Sequence, residues 1–282
     1  MQQETAAAKP ERAGYLYYRH RLPVRIMHWI NVIALTILLM SGLNIFGAHP
    51  SLYWGKSSYA GRPAIFQIDA DSTADNRIVG KTRIFGHEFD TTGWLGATRG
   101  SDGALVASSF PSWMTIPDER WLAMARRWHL FFAWIFVING VCYLAYSIAS
   151  RHLARDLAPD GNDVRSIGRS FLDHLRFRHP KGEASKRYNV LQKIAYLVVI
   201  FVLLPLIFLM GVAMSPGVDA LIPGWVDVFG GRQSARTIHF IVAWLLVAFV
   251  LIHVFEVIIT GLWNNLRSMI TGNYRVAAED RP

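Results

Sequence analysis

Residues 238–263 read IHFIVAWLLVAFVLIHVFEVIITGLW, an apolar stretch that contains two histidines and one glutamate. A helix needs about 20 mostly apolar residues to cross the hydrocarbon core of a membrane. Three other stretches are similar: 29–46, 128–149 and 194–214. The pattern predicts an all-α membrane protein in which four transmembrane helices form a bundle, with 1–282 as a single domain. The predicted helices span about 28–47, 124–149, 190–214 and 236–264, with Pro205 as a kink in the third.

Composition and charge agree with a membrane location. Hydrophobic residues make up 52% of the chain and charged residues 17%, against about 25% charged in a soluble domain. The net charge is +9, but the basic residues cluster beside the apolar stretches rather than along one polar face. This arrangement favours an orientation signal over nucleic-acid binding. Cys142 is the only cysteine, which excludes an intrachain disulfide and a multi-thiolate metal site.

Lys and Arg predict the orientation of the helices, since they are enriched in cytoplasmic loops. They are frequent before the first stretch and in 151–187, whereas the short loop after the third stretch has only Arg232 and Arg236. We therefore expect a multi-pass protein of the bacterial inner membrane with both termini in the cytoplasm. Residues 48–120, called the insertion below, are then a long periplasmic loop between helices 1 and 2. Its aromatic residues predict a small folded cap with only short elements: Trp54, Tyr59, Phe66, Phe85, Phe89, Trp94, Phe110 and Trp113.

Four histidines lie at membrane depth, where ionisable side chains indicate function. His239 and His253 are 14 residues apart, which is nearly four helical turns, so they share a face and stand about 21 Å apart along the axis. The predicted orientation places His129 at the depth of His239 and His28 near that of His253. Haem iron accepts one imidazole on each axial side, so the pairs predict two haem sites. Zinc would need three or four ligands at one depth. A lone histidine at a helix end, such as His28, is also common at a membrane interface.

Three of these histidines follow an arginine by three residues, and residues at this spacing share a helix face. The arginines are Arg25, Arg126 and Arg236. Each would lie one turn nearer the water than its histidine, where a guanidinium could bind a haem propionate. Arginines that simply mark helix ends are the alternative. Gly42 lies 14 residues beyond His28, where it could give space to the other haem or to a neighbouring helix.

The segments Arg25-Ile-Met-His28-Trp29 and Arg126-Arg-Trp-His129, with His239 and His253, resemble the bacterial di-haem cytochrome b (cytochrome b561) family. That family includes the b-type cytochrome of nickel–iron hydrogenase and the gamma subunit of formate dehydrogenase. The stretches 49–56 and 265–272 resemble its thiosulfate reductase cytochrome b subgroup.

The resemblance implies two haem b groups, with His28 and His253 on the cytoplasmic-side iron and His129 and His239 on the periplasmic-side iron. It also implies transmembrane electron transfer between ubiquinone or menaquinone and a periplasmic molybdopterin oxidoreductase or other periplasmic redox protein. The insertion departs from shorter family members, which puts the identity of the partner in doubt.

Quinone reduction also moves protons, and three residues are candidates for the quinone site. Glu256 lies one turn beyond His253 and is the candidate proton carrier, although an interfacial carboxylate paired with Arg or Lys is the alternative. Gln192 and Tyr188 are candidate hydrogen-bond partners of the quinone. Other functions left open are a stand-alone superoxide:quinone oxidoreductase, the membrane anchor of a hydrogenase or formate dehydrogenase complex, and a non-redox channel.

Overall fold

The computed structural model describes residues 14–58, 63–100, 102–117, 121–176, 182–186 and 188–276. Tyr59 of the predicted cap and residues 118–120 lie outside them. The described chain is mostly helical. Its helices are α1 (Leu22–Gly47), α2 (Leu122–Ala149), α3 (Gly161–Leu175), α4 (Val190–Val198), α5 (Leu204–Ala213), α6 (Pro216–Leu221), α7 (Arg232–Ile259) and α8 (Leu262–Thr271).

Four of the helical stretches are long and apolar enough to cross a membrane: α1, α2, α4 with α5, and α7. Between 6% and 28% of the most apolar part of each stretch is buried within the chain. Most of the residues in these parts are therefore partly or fully exposed, which is favourable when the surroundings are lipid. A helix is stable in lipid because its backbone N–H and C=O groups hydrogen-bond to each other within the helix. Within the described residues, Asn139 of α2 donates a side-chain hydrogen bond of 2.8 Å to Asn31 of α1.

The bounds of the first and last spans differ from the prediction. Helix α1 begins at Leu22 rather than 28, because Pro23 is well tolerated in a first turn, where its missing N–H has no intrahelical partner. Helix α7 begins at Arg232 and ends at Ile259 rather than 264. Gly261 has a φ of 112°, a backbone conformation that favours glycine, and it separates α7 from α8.

The third span is interrupted between α4 and α5. Residues Val199–Leu203 form a π-helical turn immediately before Pro205. Proline has no N–H, and its ring clashes with the carbonyl of the residue four positions earlier, so the regular helix cannot continue through it. The π turn accommodates this disruption at the position where the sequence predicts a kink.

The insertion contains β-strands, so the all-α prediction is wrong for this part of the chain. In the described residues, the insertion has two antiparallel sheets with the orders β2–β3–β4–β5 and β6–β7, and β1 pairs with β8 outside the insertion. The strands are β1 (Tyr15–Tyr18), β2 (Ser51–Leu52), β3 (Phe66–Ser72), β4 (Ile78–Ile84), β5 (His87–Asp90), β6 (Ala97–Arg99), β7 (Leu105–Ala107) and β8 (Asn273–Val276).

The largest sheet of the insertion contains a tight hairpin, and it has one polar face and one apolar face. Ile84 pairs with His87, so β4 and β5 are joined by Phe85 and Gly86, whose φ angles of 49° and 84° suit a two-residue hairpin turn. One face carries exposed ion pairs, including Lys81–Glu88 at 2.8 Å. The other face contributes Ile68, which is 1% exposed, to a hydrophobic core.

That core joins the sheet to the end of α1. Its buried members are Leu43, Phe46, Leu52, Ile68 and Phe110. The ring of Phe46 has its centre 6.1 Å from that of Phe66, 6.1 Å from that of Phe110 and 4.7 Å from that of Phe240 on α7. The insertion is therefore a packed structure built onto α1 and the start of α7.

Residues group into two compact units. One unit contains 1–28, 143–198 and 250–282, and the other contains 29–142 and 199–249. Each of the four long spans contributes residues to both units. The first unit contains His28 and His253, whereas the second contains His129, His239 and the insertion.

Candidate haem sites

The four predicted histidines form two pairs, each within one unit. The ring centres of His129 and His239 are 6.3 Å apart, with an angle of 59° between the ring planes. The ring centres of His28 and His253 are also 6.3 Å apart, with an angle of 62°. Helix α7 contributes one histidine to each pair, and the second histidine comes from α2 in one pair and from α1 in the other.

The spacing fits two imidazoles on one metal ion. A bond from an imidazole nitrogen to a metal is about 2 Å, and the ring centre lies about 1.1 Å behind that nitrogen, so two opposed ligands place their ring centres about 6 Å apart. Both observed distances agree with this value. Within the described chain, no three His, Cys, Asp or Glu residues group as a metal site, and the two pairs therefore match an axial ligand set better than a zinc site.

Hydrogen bonds orient both rings of the His129–His239 pair. Nδ1 of His239 lies 2.9 Å from the carbonyl oxygen of Ile207, which can only accept, so this nitrogen carries the proton. Nδ1 of His129 lies 3.0 Å from Oγ of Ser41. The Ser41 hydroxyl already donates to the Ile37 carbonyl at 2.6 Å, so the histidine is the donor in that contact. In both rings Nε2 is left unprotonated, which is the form that binds a metal.

Two glycines make room for these rings. A Cβ added at Gly42 of α1 would lie 3.3 Å from Cε1 of His129, and one added at Gly211 of α5 would lie 3.6 Å from Cε1 of His239. The first distance is tighter than an ordinary van der Waals contact. Gly42 therefore gives space to the His129 ring, and its role beside a haem stays a prediction.

The three arginines have different surroundings. Arg236 donates to the backbone carbonyl oxygens of His49 and of Ser51, the latter at 3.1 Å, and its guanidinium lies 5.3 Å from the ring centre of Phe46. Arg25 donates to the carbonyl of Ile270. Arg126 is exposed. Arg236 thus links the insertion to α7 one turn from His239, and propionate binding by the three arginines stays a prediction.

Further contacts hold the residues that follow β2 against the start of α7. Thr237 donates to the carbonyl of Tyr53 at 2.7 Å, and Gly55 donates its backbone N–H to Ser234 Oγ at 2.8 Å. Because Thr237 is two residues from His239, these contacts place folded insertion backbone directly beside this candidate haem site.

Aromatic residues surround the His28–His253 pair. The ring centre of Tyr196 lies 6.3 Å from that of His253 and 5.6 Å from that of Tyr188. The guanidinium of Arg19 lies 5.6 Å from the Tyr188 ring centre. Burial raises the pKa of Tyr188, so its hydroxyl keeps its proton and can donate. Tyr196 was not among the predicted residues, and its spacing of eight residues from Tyr188 was the available signal.

Gln192 and Glu256 have local roles that the sequence did not predict. The side-chain oxygen of Gln192 accepts from the backbone N–H of Asn189 at 3.2 Å, while Asn189 Oδ1 accepts from the N–H of Leu191 at 3.1 Å. These bonds cap the start of α4 in the manner of a capping box. The backbone carbonyl of Glu256 accepts from the Thr260 hydroxyl at 2.6 Å near the end of α7. Quinone contacts by either residue stay predictions.

Comparison with known proteins identifies the class of protein that this geometry suggests. The sequence model of the prokaryotic cytochrome b561 family matches residues 19–272, and the chain belongs to this family. It is therefore a membrane protein of b-type haem electron transfer. The family assignment agrees with the resemblance found from the histidine motifs.

Two relatives are subunits of redox enzymes by name. The chain is 28% identical to the "Putative protein-methionine-sulfoxide reductase subunit YedZ1" of Azospira oryzae, over 92% of this chain and 98% of the relative. It is 22% identical to the "Probable Ni/Fe-hydrogenase B-type cytochrome subunit" of Cupriavidus necator, over 95% and 89% respectively. No solved structure matches the chain.

Proposed function

We propose that this protein carries electrons across the bacterial inner membrane between a quinone and a periplasmic molybdopterin oxidoreductase. The observation that carries the proposal is the equal spacing of the two histidine pairs, 6.3 Å in each, on helices of a prokaryotic cytochrome b561. Two sites of the same geometry support two bound groups of the same kind.

His28 with His253, and His129 with His239, would hold the iron of one b haem each. Haem supplies reversible one-electron chemistry, and the protein adjusts its potential through axial ligands, hydrogen bonds and burial. Ser41 and the Ile207 carbonyl fix the ring orientation of one ligand pair, and such partners also raise the basicity of a ligating imidazole.

The distribution of Lys and Arg supports a topology with both termini in the cytoplasm. In that topology His28 and His253 belong to the cytoplasmic side, and His129, His239 and the insertion belong to the periplasmic side. The chain thereby offers one candidate ligand pair to each side of the membrane.

The quinone, ubiquinone or menaquinone, would bind beside the His28–His253 pair. Tyr188 supplies a hydroxyl that keeps its proton, and the ring of Tyr196 is near the rings of both Tyr188 and His253. Glu256 follows His253 by three residues and would exchange the proton with the cytoplasm. Gln192 keeps its side-chain NH₂ group for a hydrogen bond, because only its oxygen is used in the cap.

The insertion would bind the periplasmic partner. It packs onto α1 and α7 beside His239, and it presents the aromatic side chains Trp94 and Trp113, which are 75% and 73% exposed. Aromatic residues contribute strongly to protein interfaces. The names of the two relatives, one from a reductase and one from a hydrogenase, support a redox enzyme as the partner.

Haem stoichiometry tests the proposal most directly. The purified chain should contain two b haems by pyridine haemochrome assay, and acid–acetone should extract both, because the chain has no Cys-x-x-Cys-His motif for covalent attachment. Both should be reduced by quinol in membranes. A ratio near one haem per chain contradicts the two-site proposal, and rapid superoxide-driven quinone reduction without a partner contradicts the role as a subunit.

A further inference from the structure

A basic cavity lies where α8 meets β8. It has a volume of about 490 Å³ and is lined by Trp263, Asn264, Arg267 and Arg275. Gly261 separates these residues from the membrane-spanning α7, so the cavity is at the end of the span rather than within it. None of the haem or quinone residues proposed above lines the cavity.

Asn264 holds the two arginines at the cavity. Its side-chain oxygen accepts from the backbone N–H of Arg275 at 2.8 Å and from Nη2 of Arg267 at 2.6 Å. Its side-chain nitrogen donates to the carbonyl of Arg275 at 2.9 Å. The two bonds to Arg275 join α8 to β8, whereas the bond to Arg267 lies within α8 and fixes its guanidinium at the cavity.

In the described part of the chain, neither arginine of the cavity forms an ion pair. Nε of Arg267 is buried and has no hydrogen-bond acceptor in the described part of the chain. Residues 261–276 contain no Asp or Glu, and among the described ion pairs none involves Arg267 or Arg275. Two guanidinium groups that line one cavity are suited to a phosphate, which accepts several charge-assisted hydrogen bonds.

Trp263 indicates where such a phosphate would come from. Its side chain is 81% exposed and follows α7 by four residues, at the depth where tryptophans mark the boundary between lipid and water. Basic pockets at the cytoplasmic end of membrane helices suit anionic lipid headgroups. We propose that Trp263, Arg267 and Arg275 form a binding site for the phosphate of an anionic phospholipid, which in the proposed topology belongs to the cytoplasmic leaflet.

The test uses the detergent-purified, haem-loaded chain, titrated with phosphatidylglycerol or phosphatidylcholine and analysed by native mass spectrometry. The wild-type chain should retain phosphatidylglycerol in preference to phosphatidylcholine. A basic residue near an anionic surface is worth about fivefold in affinity, so the double variant Arg267→Gln/Arg275→Gln should bind phosphatidylglycerol about 25-fold more weakly. The control Arg165→Gln/Arg169→Gln removes the same charge from exposed positions of α3 and should change binding less than twofold.

Four outcomes would overturn the proposal. In the first two, phosphatidylglycerol binding is weakened equally in the control, or it is not weakened in the double variant. In the other two, excess inorganic phosphate fully displaces phosphatidylglycerol, or the double variant loses haem. Equal weakening would mean nonspecific attraction, displacement by phosphate would mean a site for free anions, and haem loss would assign the arginines to a haem site. If the double variant fails to fold, Trp263→Ala, at an exposed position, should still weaken phosphatidylglycerol binding, and unchanged binding there also overturns the proposal.

Discussion

Oγ of Ser41 accepts a hydrogen bond of 3.0 Å from Nδ1 of His129, joining α1 to the helix that supplies this ligand. The contact has two consequences for the candidate haem site. It selects the imidazole tautomer whose Nε2 is free to bind iron, and it fixes the rotation of the ring. Gly42, the next residue, leaves the space in which that ring lies.

We expect Ser41→Ala to weaken the His129–His239 site without removing it. Loss of an outer partner of a metal ligand typically costs 10-fold to 100-fold in affinity or activity, as a rough guide. The measurement is haem retention on dilution, with the midpoint potential of each haem from redox titration. Thr36→Ala is the matched control, because the Thr36 hydroxyl donates only to the Val32 carbonyl on the same helix, at 2.8 Å. Identical behaviour of the two variants would exclude an orienting role for Ser41.

Gly42→Ala should disturb the same site by steric pressure. The new Cβ would meet the His129 ring at 3.3 Å, and overpacking of this kind costs about 1–3 kcal/mol. Electron paramagnetic resonance should show a shift in the low-spin signal of one haem as the ring turns. Gly140→Ala is the control, since its Cβ would meet no atom within 4 Å, and it should be neutral or stabilising by up to about 1 kcal/mol. A spectral change in the control, or none in Gly42→Ala, contradicts the prediction.

Single ligand substitutions should remove one haem each. His253→Ala should leave the His129–His239 haem, and His129→Ala should leave the other, so each purified variant should contain one b haem per chain. His239→Ala and His129→Ala should give the same spectrum, since each breaks the same pair. The assays are haemochrome stoichiometry and low-temperature absorption spectra. Two low-spin haems in any of these variants would refute the pairing.

Exposed tryptophans of the insertion should bind the partner. Trp94→Ser/Trp113→Ser should reduce co-purification of the periplasmic enzyme at least about 30-fold, because interface hot spots contribute 2 kcal/mol or more. Haem content should be unchanged, since neither side chain is buried. This design is sharper than replacement of the whole insertion by a linker, which would also remove the core around Phe46.

Trp263→Ser is the control for this pair, because Trp263 is 81% exposed and belongs to the opposite side of the membrane in the proposed topology. It should leave co-purification intact. Unchanged partner binding in the double variant would show that the insertion docks through another surface or does not dock the enzyme.

Glu256→Gln should slow quinone turnover while both haem spectra stay as in the wild type. Positioned acid–base groups typically contribute about 10²-fold to 10⁴-fold, so a loss of at least about 10²-fold is expected in quinol-driven haem reduction. Glu183→Gln is the control, since that carboxylate forms an exposed ion pair with Lys186 at 2.6 Å. Equal rates for Glu256→Gln and wild type would favour the alternative, in which Glu256 is a carboxylate at the membrane interface with no role in proton transfer.

Much of the membrane part was predictable from the sequence because its signals are local. Apolar length alone identified the four spans, since the membrane requires about 20 apolar residues in a row. A spacing of 14 residues placed His239 and His253 on one face of α7 by helix geometry. The helix ends were less certain, because Pro23 and Gly261 act through backbone conformation that hydropathy does not record.

The side-chain contacts at the histidine pairs and the packing of the insertion could not be predicted, because they join residues far apart in the chain. The partnership of Ser41 with His129 spans 88 residues, and that of Arg236 with Ser51 spans 185. The sequence predicted a small cap with short elements in the insertion but did not identify them as strands, because pairing with neighbouring strands and burial of Ile68 stabilise the sheet. The sequence by itself thus determined the spans and the shared face of His239 and His253, because those depend on length and helical period. Only the tertiary structure decided which side chains orient the histidine rings and how the insertion packs, because those depend on long-range contacts.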